Sequence, residues 1–369
     1  MYSFVIYSIT FVLMFWFSTF LKNNKTACIG EDIRFKSWNA IIILIFTIVF
    51  GLRYNVGVDY QNYKELYDTN NFERLEFLFR GISNLFVKCN IHVVWYFTLW
   101  VFLQIFFLIK AFEKEKYIYP ALVFTLFTGQ YFLLWMNVIR QDIAACIFIF
   151  SISFIVKRDF WKFTALILIA CGFHKTAILL FLAYPLFQLK KNYFNNIYLQ
   201  LLILLVAAYF GLNSNSIMTT IDSILQPFLM TFDYEEYSYG GLEESFANVA
   251  LGFTFLSSFV LDLIIIVYSK KMKSYYHNDR FLCFYDLYYF GVITNLLLAQ
   301  SYILLRPVRY FRFFKMIISA YLLYYLYKHG KSHINLMAFI VTVMLYVILY
   351  LAIFRYSADA YYIYHIYPF

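Results

Sequence analysis

The chain alternates long apolar runs with short polar interruptions. The apolar runs lie at residues 2–21, 38–53, 92–112, 118–134, 138–156, 163–172, 177–189, 197–212, 246–268, 281–304, 309–327 and 334–354. Several reach the roughly 20 residues that cross the hydrocarbon core of a bilayer. Only helices or closed barrels satisfy their backbone in lipid, and runs of this length predict helices. The runs 163–172 and 177–189 are short and predict a broken or tilted pair, or two half-helices. The stretch "LEFLFRGISNLFVKCN" (75–90) is amphipathic and predicts an interfacial or re-entrant helix. The first run lacks a basic segment before it and a small-residue cleavage site after it, so it reads as a retained helix. The expected fold is all-α: one polytopic membrane domain over residues 1–369. It has about 12 transmembrane or part-spanning helices, an outer loop with an interfacial helix at 54–91, and a second outer loop at 213–245.

Charge orients the bundle. With the N-terminus outside, every inner loop is basic: Lys22 to Lys36, Lys110 to Lys116, Lys157 to Lys162, Lys190 and Lys191, Lys270 to Arg280, and Lys328 and Lys331. The outer loop 213–245 has no Lys or Arg and six carboxylates. The positive-inside rule therefore puts both termini outside. It leaves five cations unexplained at outer helix ends: Arg53, Arg140, Lys175, Arg306 and Arg309. Charges at such depths are costly unless paired, and mark functional candidates.

Composition narrows the function. Of 369 residues 63% are hydrophobic and 14% charged, and the net charge is +9. No basic segment is long enough for a nucleic-acid-binding domain. The five cysteines are scattered, with no Cys-x-x-Cys pair, so no disulfide framework or zinc site is expected. Walker A, dinucleotide-loop, His-Glu-x-x-His and Gly-x-Ser-x-Gly signatures are absent from the sequence. No Asp-x-Asp pair suggests a metal for nucleotide-sugar chemistry; no metal or cofactor is expected.

Four polar constellations interrupt the apolar pattern. In "GLRYNVGVDYQNY" (51–63), Arg53 ends a helix, Gly57 permits a turn, and Asp59, Tyr60 and Tyr63 follow at helical spacing. The alternative is a capped interfacial helix with a snorkelling arginine. In "WMNVIRQDIAAC" (135–146), Asn137, Arg140 and Gln141 share one face at a helix start. An arginine there opposes the macrodipole, which suggests an anion to bind; the alternative is a structural pair with Asp142 or Asp59. In "IACGFHKTAI" (169–178), Gly172, His174, Lys175 and Thr176 break an apolar run, as happens where backbone lines protein or a cavity. In "LLRPVRYFRFFK" (304–315), Pro307 predicts a first helical turn, followed by Arg306, Arg309 and Arg312 at spacing three.

Read in order, R-Y-N-V-G-V-D-Y-x-x-Y, then M-N-x-I-R-Q-x-I-A, then A-x-x-F-H-K-T-A-I, an Arg–Tyr run and a Tyr-Pro-aromatic end resemble the EpsG family of Wzy-like polymerases of bacterial surface polysaccharides. The chain ends Tyr367-Pro368-Phe369 where Tyr-Pro-Tyr is the expected form, and the loop 213–245 is its own. The resemblance implies a GT-C-like bundle in the bacterial inner membrane with a cavity at the outer face. It implies a metal-independent glycosyl transfer between two undecaprenyl-pyrophosphate-linked oligosaccharides, with a chain-length regulator and a flippase as further partners. Arg53, Arg140, Arg306, Arg309 and Lys175 then suit the pyrophosphate. Asp59 or His174 suits the base, with Arg140 in the catalytic set, and Tyr60, Tyr63, Asn137 and Gln141 suit the glycan. An O-antigen ligase or a lipid-linked oligosaccharide flippase remains the competing reading.

Overall fold

The computed structural model describes residues 3–23, 32–188, 193–213, 252–299, 302–356, 361 and 363–367. Each predicted run has a helical counterpart among them, save residues 246–251, which lie outside. They form α1 (Ser3–Asn23), α2 (Asp32–Gly51), α5 (Val93–Ala111), α6 (Tyr119–Thr128), α7 (Tyr131–Asn137), α8 (Ile139–Val156) and α9 (Phe160–Phe173). Further on come α11 (Ile197–Asn213), α12 (Phe253–Tyr276), α13 (Asp279–Leu297), α14 (Tyr302–Lys328) and α15 (His333–Tyr356). Short α3 (Tyr60–Asp68) and α4 (Phe77–Lys88) fill the 54–91 loop. The only strands among the described residues are β1 (Arg53–Tyr54) and β2 (His365–Ile366), paired antiparallel.

This is an all-α polytopic membrane protein. Among the described residues five helices are long and apolar enough to span, and six if a bent pair counts as one crossing. That pair joins 116–128 to α7 with a 62° bend. Gln130 turns the chain there, with φ 65 in the left-handed region. The count is smaller than the number of apolar runs because four apolar helical segments, α9 among them, are shorter than a span, and because α13 and α14, though long enough, do not qualify as apolar spans. At 14 residues, α9 reaches about 21 Å, against a core of about 30 Å.

The short pair resolves into a hairpin. Helix α9 stops at His174, whose backbone is extended (φ −155, ψ 118). A 3-10 segment, Lys175–Leu182, runs on into α10 (Ala183–Gln188). Phe163 near the start of α9 meets Phe181 at 6.1 Å and Tyr184 at 5.3 Å, so the second limb returns beside the first. His174, Lys175 and Thr176 form its tip.

The amphipathic 75–90 stretch is α4. Its buried face carries Phe79, stacked on Trp100 at 4.5 Å, and Ser83, bonded to Tyr96 at 3.2 Å. Phe77 and Leu85 stay exposed.

By packing, the chain divides into two compact units, one of residues 1–184 with 319–369, the other of 185–318. In the second, Lys315 binds Asp262 at 2.7 Å and Asp262 accepts from Tyr288 at 2.9 Å. Pro307 lies inside α14 rather than in its first turn, because that helix begins five residues earlier.

Candidate functional site

Two of the motifs dock on each other. Arg53 follows the end of α2 and is fully buried. Its guanidinium donates to the carbonyls of Phe50 (2.6 Å), Val56 (3.1 Å) and Met136 (3.1 Å), and lies 5.2 Å from the Phe97 ring centroid. Burial pulls its pKa down to about 10, so it stays charged at neutral pH. Gly57 then turns with φ +107, where a Cβ would sit 3.0 Å from Asn137 Oδ1 and 3.2 Å from Met136 O. The space a side chain would need is taken by the other motif: Asn137 Oδ1 accepts from the Val58 N–H at 2.8 Å. The chain end joins the same bed. In the β1–β2 pair Arg53 faces Ile366 and Tyr54 faces His365, and the Tyr367 N–H donates to Leu52 O at 2.9 Å.

The chemistry gathers around a residue that the sequence did not single out. Glu76 stands at the N-cap of α4 and is 7% exposed. One carboxylate oxygen pairs with Arg140 Nη1. The other meets His174 Nδ1 at 2.9 Å and the Lys175 backbone N–H at 3.3 Å. Burial alone would raise the carboxyl's pKa. The His174 hydrogen bond and the Arg140 charge outweigh burial and hold it down at about 2. The carboxylate is therefore ionised at any physiological pH.

Local structure explains how three distant segments meet. Arg140 is the second residue of α8, where the macrodipole disfavours a cation, and the Glu76 charge offsets that cost. Gly172 lets the α9 tip approach α4: a Cβ there would come within 2.7 Å of Leu78 Cβ and 3.0 Å of the Phe77 ring. The extended backbone at His174 then turns its ring to Glu76. Arg140 and His174 keep side-chain exposures of 27% and 17%, against 6% for Glu76. The carboxylate is the buried anchor, and the guanidinium and the imidazole are the accessible heads.

Asp59 borders this cluster. It takes the N-cap position of α3 without a side-chain cap bond and is half-buried. Burial raises the pKa of the Tyr63 hydroxyl, Arg140 lowers it through charge and hydrogen bonding, and the Asp59 and Glu76 charges raise it. Tyr63 thus links Asp59 to the Arg140 group.

Other expected site residues fall elsewhere. Tyr60 is fully buried and stacks on Phe97 at 4.6 Å, and Gln141 is also buried. Lys175 is exposed beside His174. Arg306 and Arg309 are half-buried on α14 in the second unit. The acidic loop 213–245 lies outside the described residues beyond Asn213.

The ion pair of Arg140 is made with Glu76, a third choice beside the Asp142 and Asp59 weighed from sequence. Glu76 escaped notice because an acidic residue at a helix start has an ordinary local explanation. Its burial is a tertiary fact.

An all-helical membrane protein with an ion-paired Arg–Glu–His cluster at its helix ends is the class that fold and site define. The sequence model of the EpsG family matches residues 37–368, nearly the whole chain. The chain belongs to the EpsG family, whose members are Wzy-like polysaccharide polymerases. No curated protein and no solved structure matches it.

Proposed function

We propose that this chain transfers a growing glycan from undecaprenyl pyrophosphate to a hydroxyl of an incoming lipid-linked repeat unit, using Arg140, His174 and Glu76. The observation that carries the reading is one buried carboxylate holding a part-exposed guanidinium and an imidazole brought from separate segments.

The transfer breaks the bond between the anomeric carbon and the pyrophosphate oxygen. It forms a bond from that carbon to the acceptor oxygen, and the acceptor's proton must leave. Negative charge grows on the departing pyrophosphate. Arg140, held in place before reaction, suits that charge because a preorganised guanidinium binds two phosphate oxygens at once. Lys175 adds a second cation at the hairpin tip. His174 uses Nδ1 on Glu76, which orients the ring so that Nε2 takes the acceptor proton. Asp59 is the second candidate base.

Arg53 has the positioning role here rather than the phosphate-binding one expected from sequence, since its donors go to three carbonyls. Arg306 and Arg309 stay candidates for binding a phosphate anion within the second unit, and Asn137 positions the loop that faces the glycan. The reaction belongs at the outer face of the bacterial inner membrane, in an outer-face cavity with both termini outside, by the charge of the loops. A flippase supplies the repeat units and a chain-length regulator acts on the product.

The test is the surface polysaccharide of an Arg140→Ala strain together with its lipid-linked glycans. Single capped repeats with accumulating lipid-linked repeats are expected. Normal long chains refute the assignment. Loss of all surface glycan would point to a flippase, and free lipid-linked polymer to a ligase.

A further inference from the structure

The tyrosines expected to hold sugar are the wrong ones for it: Tyr60 and Tyr63 are buried against Phe97 and Phe79. A different aromatic group lies part-open around Tyr54. Tyr54 and Tyr367 are both half-buried and meet edge to face at 5.1 Å. His92, exposed at the start of α5, meets Tyr367 edge to face at 4.8 Å. These rings come from three remote parts of the chain and are joined by the β1–β2 pair.

The rim of this group is polar. Asn55 and Gln61 are exposed and bonded to each other at 2.6 Å. Lys64, on the following turn of α3, is paired to Asp68. Aromatic rings edged by amides are a surface a pyranose takes: its C–H face lies on a ring and its hydroxyls reach the amides. The loop is also fixed to the end of α7, just before the helix that carries Arg140. Arg53 next to Tyr54 binds Met136 O, and Val58 binds Asn137, three residues before Arg140.

We propose that Tyr54, Tyr367 and His92 form a sugar-binding platform for the oligosaccharide of the lipid-linked substrate. The chain end thereby contributes to the site through Tyr367. The carrier of that sugar rests on the function proposed above; the platform itself does not.

The probe is the repeat-unit oligosaccharide, released from the strain's own surface polysaccharide and free of lipid, binding to the purified full-length protein in detergent. Tyr54→Leu and Tyr367→Leu are expected to raise its Kd about tenfold, the equivalent of ~1.4 kcal/mol. Tyr54→Phe and Tyr367→Phe keep the ring and are expected to bind as the parent does. Parent-like affinity in both leucine variants overturns the platform, as does equal loss in the phenylalanine variants. Should a leucine variant fail to accumulate, His92→Ala, which leaves the β1–β2 backbone pairing in place, takes its role and must weaken binding.

In turnover, a rise in KM with little change in kcat is expected. A rise confined to single lipid-linked repeats makes the platform the acceptor subsite, and one confined to polymer-linked donor makes it the donor subsite. A KM unchanged for both overturns the proposal. Binding of free oligosaccharide is read without transfer, so failure of the polymerase assignment and failure of the platform are told apart.

Discussion

Arg53 and Arg140 are two arginines at helix ends, yet the protein uses them in opposite ways. Arg53 is fully buried and surrounded by neutral acceptors, three carbonyls and an aromatic face. Arg140 is part-exposed, hydrogen-bonded to Tyr63 and paired with a buried carboxylate that also holds a histidine. A guanidinium saturated by backbone carbonyls fixes the chain around it. One paired on one side and open on the other keeps donors for a ligand. Charge at an unexpected depth is therefore a pointer to function only until its partners are known.

Breaking the Arg140 side should have the largest effect. Arg140→Ala is expected to cut polymerisation by about 10³-fold, the loss typical of removing one preorganised donor to developing charge. Membrane accumulation of the protein should stay at the parental level; a parallel fall in accumulation would erase the contrast with Arg53. Next comes Arg53→Ala, which strands three buried carbonyls at about 1–3 kcal/mol each. It should lower the thermal midpoint of the detergent-solubilised protein by several degrees, and Arg53→Lys should not restore it, since an ammonium lacks the planar fork. An Arg53→Ala protein as stable as the parent but inactive would move Arg53 into the chemistry.

Glu76→Gln sharpens the comparison at intermediate size. It should lower kcat about tenfold or more, because His174 loses its anionic partner and Arg140 its counter-charge. The pH dependence has a definite sign. The folded pKa of Glu76 is depressed from 4.5 to about 2. Its contribution is complete above pH 4.5 and is lost as pH falls through about 2. Its own titration therefore adds no slope to stability between pH 7 and 5, where any difference between the parent and Glu76→Gln is carried by the His174 imidazole. In a His174→Gln background the proteins with and without Glu76→Gln should run parallel down to about pH 4.5 and diverge only in stronger acid; a divergence already near pH 6 there would mean that the carboxylate is not held down by Arg140.

The smallest expected effect is at the loop. Gly57→Ala puts a side chain at φ +107 against Asn137 and should cost about 1 kcal/mol, read as a modest fall in thermal midpoint with activity largely kept. Asn137→Ala, which removes the acceptor for Val58, should cost a similar ~1 kcal/mol.

Much of this architecture was legible along the chain. The apolar runs became helices, the short pair at 163–189 became a broken hairpin, and Arg140 and His174 stood out as charges without a local reason. Where local chemistry offered a sufficient explanation, the reading stopped short. Nothing in the local sequence marks Glu76, and Arg53 reads as a phosphate ligand until its carbonyl partners are known. Pro307 was read as a first turn, although α14 accommodates it further in.

The sequence by itself determined the class: lipid-length apolar runs and ordered motifs allow only an all-helical membrane protein of this family. Only the tertiary structure decided which charges face each other. Burial and pairing join residues 76, 140 and 174, and residues 53, 136 and 366. Periodicity reports the face of a helix, but not which remote carbonyl, carboxylate or ring that face will meet.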